Sequence, residues 1–223
     1  MTNNSTRKLF IIFTALYFVQ GMGEPTAGLL SQPIRSMLRN WGSNSAEIAT
    51  FMFLLGIPWY IKPLFGLLSD FIPIKGLRRK SYMILSSLLM FGGFLAATFL
   101  PLVPTAATLI LFLLLLPSVG IAFKDVVTDA TMIEAGQPLG ITGRLQSAQW
   151  GAMYGAGLLC GVGGGWLSQH GQQRLGFLIC SLLGLVALYI AIFHIKEKPR
   201  PELHRGQLKR AIIVLGEAAN TCI

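Results

Sequence analysis

The sequence has 223 residues, of which 53% are hydrophobic and only 12% are charged, and its formal net charge is +9. Soluble domains usually have about 25% charged residues, so this chain has too few to cover a water-facing surface, and we expect lipid to surround it. The positive charge lies between long apolar runs, which is typical of membrane topology rather than of nucleic-acid binding.

Apolar runs follow one another along most of the chain. A helix needs about 20 mostly apolar residues to cross a bilayer, and six runs have that length: about 9–32, 46–68, 81–100, 105–130, 145–168 and 174–195. They do not alternate apolar and polar residues as β-barrel strands do, so they predict helices. We therefore expect an all-α membrane protein with a cytoplasmic N-terminus (1–8), a six-helix transmembrane domain (9–195) and a basic cytoplasmic tail or truncated central loop (196–223).

The basic residues outside the runs are distributed unevenly. Thirteen lysines and arginines fall on one side of the predicted spans and three on the other. Since cytoplasmic loops carry the excess of Lys and Arg, both termini are predicted to lie in the cytoplasm. In the tail, residues 207–218 are predicted to form a short amphipathic helix on the bilayer.

The first run carries a carboxyl group near the middle of the membrane. Glu24 lies about 22 Å along a helix from Leu9, and Gln20 shares its face. Pro25 and the neighbouring glycines predict a bend. This pattern is typical of a binding or proton-handling site. The alternative is a proline kink whose Glu24 only bonds a neighbouring helix.

Charged residues also occur within the second and fourth runs. Lys62 and Asp125 should lie at similar depth, where an ion pair would neutralise both charges and could open to bind an anion. Alternatively, Lys62 extends its ammonium to the cytoplasmic interface. Asp125 and Asp129 share one helix face, and their repulsion requires a cation or a proton, with Lys124 and Lys62 as the available cations. The two interpretations are a proton relay and a static ion cluster at the cytoplasmic end.

The fifth run is rich in glycines at the GxxxG spacing that allows close helix approach. They are Gly151, Gly155, Gly157, Gly161 and Gly165. Three polar or aromatic side chains precede this surface and are predicted to line a cavity, with an interfacial anchor as the alternative for the tryptophan. They are Gln146, Gln149 and Trp150.

Six runs with a short basic loop after the second resemble the N-terminal half of a major facilitator transporter, which is built as a 3+3 helix repeat. The loop GLLSDFIPIKGLRRKSY (66–82) has the glycine–Asp–glycine–basic order of that superfamily's signature. The matching residues are Gly66, Asp70, Gly76, Arg78 and Arg79. The resemblance implies a cytoplasmic gate, in which Asp70 caps a helix end and the arginines bond Glu134 or Asp129.

Within that superfamily the chain is similar to the folate–biopterin transporter family. The similarity rests on LYFVQGM (16–22), PWYIKPLFGLLSDFIPIKGLRRKSY (58–82), DVVTDATMIE (125–134) and LQSAQWG (145–151). It implies proton-coupled uptake of a folate- or pterin-like organic anion across the cell (inner) membrane. The predicted substrate and proton pathway comprises Gln20, Glu24, Lys62, Lys124, Asp125, Asp129, Gln146, Gln149 and Trp150, although Glu24 matches no position of the family with certainty.

The chain departs from that family in length, because the family has about twelve spans. Alternating access needs two halves that rock around a midplane site, so a complementary six-helix half or a second copy is expected as partner, unless the chain is a truncated product. Two alternatives remain open: a muropeptide-permease-like or acetyl-CoA-transporter-like carrier, which shares the proline–lysine and DxxxDA elements, and a non-transporting membrane protein.

Features of an enzyme are lacking in the sequence. The three histidines, His170, His194 and His204, are scattered, and the cysteines, Cys160, Cys180 and Cys222, form no disulfide framework. GVGGGW (161–166) follows no predicted strand, so a dinucleotide loop is not expected. We predict no enzymatic activity, metal or cofactor, and we expect the basic tail to meet anionic lipid rather than nucleic acid.

Overall fold

The computed structural model describes residues 3–197, which form helices joined by turns and contain no β-strand. The helices are α1 (Asn3–Gly23), α2 (Ser31–Asn40), α3 (Ser45–Tyr60), α4 (Lys62–Phe71), α5 (Lys80–Phe99), α6 (Ala107–Gly136), α7 (Thr142–Gln169) and α8 (Gln173–Phe193). Short 3-10 turns precede α6 and α7. The all-α prediction is confirmed for this range. The predicted helix at 207–218, Cys222 and His204 lie outside the described residues.

Four segments of the described range are long and apolar enough to cross a membrane: Ser45–Phe71, Lys80–Phe99, Pro104–Leu139 and Gln173–Phe193. They coincide with the second, third, fourth and sixth predicted spans. Helices α1 and α7 have the length, with 21 and 28 residues, but carry more polar residues, including Arg7, Lys8 and Arg144. The count of six spans and the orientation of the termini therefore stay predictions.

The first predicted span, about 9–32, is wrong as a single helix. Helix α1 ends at Gly23 and α2 begins at Ser31. Pro25 has no N–H group to donate to a helical carbonyl, and its ring disfavours continuation of the helix through the preceding turn. The Glu24 carboxylate accepts hydrogen bonds from the backbone N–H groups of Thr26 and Ala27, at 2.9 and 2.5 Å. The bend predicted at Glu24–Pro25 is present, and the carboxylate satisfies amides that the break exposes.

The bundle is built around α5 and α1. Helix α5 packs between α6 and α8, while α1 packs along α7 and also contacts α6 and α8. Helices α3 and α4 lie against α6, and α2 lies against α7. This arrangement brings one face of α6 towards α1 and α4.

Glycines set the spacing of the α5 layer. A Cβ atom on Gly184 of α8 would lie 2.8 Å from the backbone nitrogen of Phe91, and one on Gly120 of α6 would lie 2.5 Å from the carbonyl oxygen of Ser86. Both distances are too short for a side chain, so the backbones meet directly. Within a bilayer, van der Waals contact of this kind is a main source of helix association.

Replacing Gly184 with leucine should destabilise the bundle by about 1–3 kcal/mol, since the side chain must push α8 away from α5. Gly161→Leu is the matched control, because a Cβ on Gly161 of α7 meets nothing within 4 Å. Thermal unfolding of both variants in one detergent measures the difference. Equal melting temperatures for the two variants would show that the α5–α8 contact is not this close.

Candidate functional site

Asp125 lies on the face of α6 that meets α1 and α4, and it has two charged or polar partners. Lys62, at the start of α4, forms an ion pair with one carboxylate oxygen, and the Gln20 amide of α1 donates to the other. The Lys62 side chain is 30% exposed and that of Asp125 is 7% exposed. The Lys62 side chain is therefore partly accessible from outside the bundle, whereas that of Asp125 is enclosed.

Asp129, one helical turn after Asp125, is held by different residues. The Tyr17 hydroxyl of α1 and the Gln149 side-chain amide of α7 both donate to it, the latter at 3.2 Å. Each carboxylate thus has its own partners, so the pair does not depend on one shared cation. Sequence reasoning missed Tyr17, although it lies three residues before Gln20 in LYFVQGM and hence on the same helix face.

Lys124 is not brought to the two carboxylates. Its side chain is fully buried between α6 and α5, with Nζ 3.6 Å from the Met90 sulfur. Adjacent residues of a helix point about 100° apart, so Lys124 and Asp125 occupy different faces. Of the two cations considered for the carboxylate pair, Lys62 is the one that forms an ion pair with Asp125, and Lys124 lies against Met90 instead. The part of Lys124 in the pathway stays a prediction.

A cavity of about 400 Å³ opens beside this cluster, between α1, α3 and α7. The side chains that line it include Gln20, Glu24, Trp59, Trp150, Met153 and Tyr154. Gln146 is exposed and does not line it. Sequence reasoning missed Trp59 and Tyr154; each lies three or four residues from a predicted site residue, Lys62 or Trp150, and that helical spacing was the available signal.

The residues of the basic loop between α4 and α5 form a second cluster at one end of the bundle. Arg79 pairs with Asp70 at 2.5 Å, and both Arg78 and Arg79 reach Glu134 at 3.3 Å. Asp129, the other carboxylate expected to meet these arginines, bonds Tyr17 and Gln149 instead.

Of the two signature glycines, Gly76 is required by its backbone conformation and Gly66 is not. Gly76 has φ of 75°, a conformation that favours glycine, and it lies in the tight turn between Ile74 and Leu77. Gly66 lies within α4, where a Cβ atom would contact Val126 of α6 at 3.7 Å. The turn and the helix together present Asp70 to Arg79.

Glu197 adds a connection to this cluster that the sequence did not suggest. Its carboxylate accepts hydrogen bonds from the backbone N–H groups of Arg78, Arg79 and Lys80, at 2.8 to 3.2 Å. The first turn of α5 is therefore capped by a residue that follows α8. In the opposite direction, the Lys80 ammonium donates to the carbonyl oxygen of Ile192 near the end of α8, at 2.7 Å.

Comparison with known proteins gives consistent matches. The model of the BT1 family matches residues 26–220. A protein of Synechocystis sp. named folate-biopterin transporter is 31% identical over 198 residues, which cover 84% of this chain and 39% of that protein. An Arabidopsis thaliana protein named probable folate-biopterin transporter 4 is 31% identical, with the same shares of each chain covered.

A more distant relative is the Plasmodium falciparum protein named folate transporter 2, which is 28% identical over 60% of this chain and 29% of its own length. The chain thus spans about two fifths, or less, of the curated relatives it matches. The matches support an integral, multi-pass membrane protein of a transporter family.

Proposed function

The chain belongs to the BT1 family of folate-biopterin transporters, and from that premise we propose that it is the N-terminal six-helix half of a proton-coupled carrier for a folate- or pterin-like organic anion. The observation that carries the proposal is the Lys62–Asp125 ion pair beside the cavity. Intramembrane charges of this kind are costly and usually mark a substrate or ion pathway.

The ion pair supplies a way to couple an anion to a proton. When Asp125 binds a proton, Lys62 loses its counter-ion and its partly exposed ammonium attracts a carboxylate of the substrate. When the substrate leaves, Asp125 releases the proton and pairs with Lys62 again. The Gln20 amide, which donates to Asp125, holds the carboxylate in position opposite Lys62.

The complementary half is proposed to pack along α7. A Cβ on Gly151, Gly155 or Gly161 meets nothing within 4 Å, and the intervening Leu158 and Val162 are 76% and 79% exposed. This face therefore offers the GxxxG surface that a partner helix needs. The Arg79 cluster lies at the end of the bundle that the basic loops assign to the cytoplasm, where it acts as the gate between the two halves.

Lys62→Met should abolish uptake of labelled folate, because the substrate carboxylate loses its counter-ion and Asp125 is left unpaired. Lys8→Met is the matched control, since Lys8 is exposed near the start of α1. Uptake is measured in cells that express the chain with and without a complementary six-helix half, with pterins and muropeptides as competitors. Undiminished folate uptake in Lys62→Met would contradict the coupling mechanism. Competition by muropeptides, but not by pterins, would favour a muropeptide carrier.

A further inference from the structure

Two polar atoms at the cavity between α1, α3 and α7 have no hydrogen-bond partner in the described part of the chain. They are the amide oxygen Oε1 of Gln20 and the indole Nε1 of Trp59, and both atoms are buried. Gln20 as a whole is only 1% exposed, and its Nε2 is already committed to Asp125. The indole approaches the Glu24 carboxylate without the geometry of a hydrogen bond.

A buried polar atom without a partner costs free energy, and here an acceptor and a donor line the same cavity. Glu24 accepts hydrogen bonds from Thr26 and Ala27, and no hydrogen bond joins its carboxylate to Gln20 Oε1 or Trp59 Nε1. What would satisfy both Gln20 and Trp59 is a ligand edge that carries an N–H donor next to an acceptor.

The other wall of the cavity is aromatic. Trp150 and Tyr154 on α7 have ring centroids 5.7 Å apart and an interplanar angle of 29°, and both rings line the cavity. Their residues are 50% and 69% exposed, so the rings are accessible for stacking. A volume of about 400 Å³ is at the lower end of what small-molecule pockets have.

We propose that this cavity binds the fused heteroaromatic ring of the substrate, with its donor–acceptor edge on Gln20 Oε1 and Trp59 Nε1 and its face on Trp150 and Tyr154. The 2-amino-4-oxopyrimidine edge of a pterin presents an N–H donor beside an acceptor. The inference deepens the proposed function and rests on it, because it assigns the ring and the anionic arm of one substrate to two adjacent sites.

The positions of Lys62 and Trp59 connect those two sites. The Lys62 ammonium lies 4.4 Å from the centroid of the Trp59 ring, a cation–π distance. The same tryptophan therefore contacts the cation with its ring and also lines the cavity. A substrate whose ring occupies the cavity has its carboxylate arm directed towards Lys62, which leaves Asp125 free to accept the proton.

The test uses the full chain together with its complementary half in lipid nanodiscs and three probes: folate, pterin, which is the ring alone, and p-aminobenzoylglutamate, which is the anionic arm alone. Trp59→Phe keeps the aromatic ring and removes the N–H, and should weaken pterin binding by about threefold to tenfold. Trp150→Leu should weaken it by roughly fivefold through lost stacking. Neither change should alter binding of p-aminobenzoylglutamate, whereas Lys62→Met should weaken the arm probe and spare pterin.

Trp166→Leu is the matched control, because Trp166 lies on the same helix with the same 50% exposure but stacks on His170, away from the cavity. Its affinity for pterin should equal that of the unaltered chain. If the unaltered chain binds folate and Trp59→Phe and Trp150→Leu keep full pterin affinity, the ring site is wrong and the proposed function stands. If the unaltered chain binds none of the three probes, the proposed function fails and the ring site fails with it.

Discussion

Replacing Asp125 with asparagine should abolish net uptake of folate while exchange of external labelled folate for internal folate continues. The amide of asparagine mimics the protonated carboxyl group, so the form that binds the anion on Lys62 can still be reached. The asparagine amide cannot release a proton, however, so the empty carrier cannot restore an ion pair between Lys62 and residue 125. We expect the rate of net uptake to fall at least about 100-fold.

The experiment compares net uptake and exchange in the same vesicles, which contain the chain together with its complementary half. Glu47→Gln is the matched control for an acid-to-amide change. Glu47 is exposed and forms a capping box with Asn44 at the start of α3, with both hydrogen bonds at 3.0 Å, and glutamine can take its place there. If Asp125→Asn loses exchange as well as net uptake, Asp125 is needed for the structure of the carrier and not specifically for proton transfer.

Replacing Arg79 with methionine should have the second large effect, on stability and on closure of the end of the bundle at which Arg79 lies. The Arg79 residue is only 8% exposed, and its guanidinium bonds Asp70, Glu134 and Ser69 Oγ, the last at 2.9 Å. The change leaves those partners without their cation. Because both carboxylates are about half exposed, water compensates them in part, and we expect a loss of about 2–3 kcal/mol rather than more.

Two measurements separate these consequences. Thermal unfolding gives the loss of stability, with Arg39→Met as control because Arg39 is exposed at the end of α2. Thr131 lines a second, separate pocket together with Arg78 and Arg79. Maleimide labelling of a cysteine placed at Thr131 therefore reports opening of this end of the bundle. Faster labelling in Arg79→Met is expected. Unchanged labelling would mean that the cluster stabilises the bundle without acting as a gate.

Apolar runs predicted most of the helices but not the points at which they break. Run length depends on composition, whereas the end of α1 depends on Pro25 and on the hydrogen bonds of one carboxylate, Glu24. Hydropathy treats the break as part of the same run, because Ala27 and the residues that follow it to Leu30 are small or apolar. A proline beside a buried carboxylate was the local signal that the run is divided.

The charged residues of the candidate site could be predicted from the sequence. Lys62, Asp125 and Asp129 stand out because ionisable residues are rare in spans. Three aromatic residues of the site could not be predicted: Tyr17, Trp59 and Tyr154. In an apolar run, an aromatic residue that packs in the core cannot be distinguished by sequence from one that faces a cavity. The face that Lys124 occupies depends on the rotation of α6 against α5, which a single sequence does not reveal.

The bond network of Glu197 has a consequence for how the protein is made. The start of α5 obtains its cap from a residue 117 to 119 positions later in the chain. During synthesis, the backbone N–H groups at the start of α5 therefore obtain these hydrogen bonds only after α8 and Glu197 have been made. Membrane insertion can proceed helix by helix, but the basic loop reaches its final shape only after translation has passed α8.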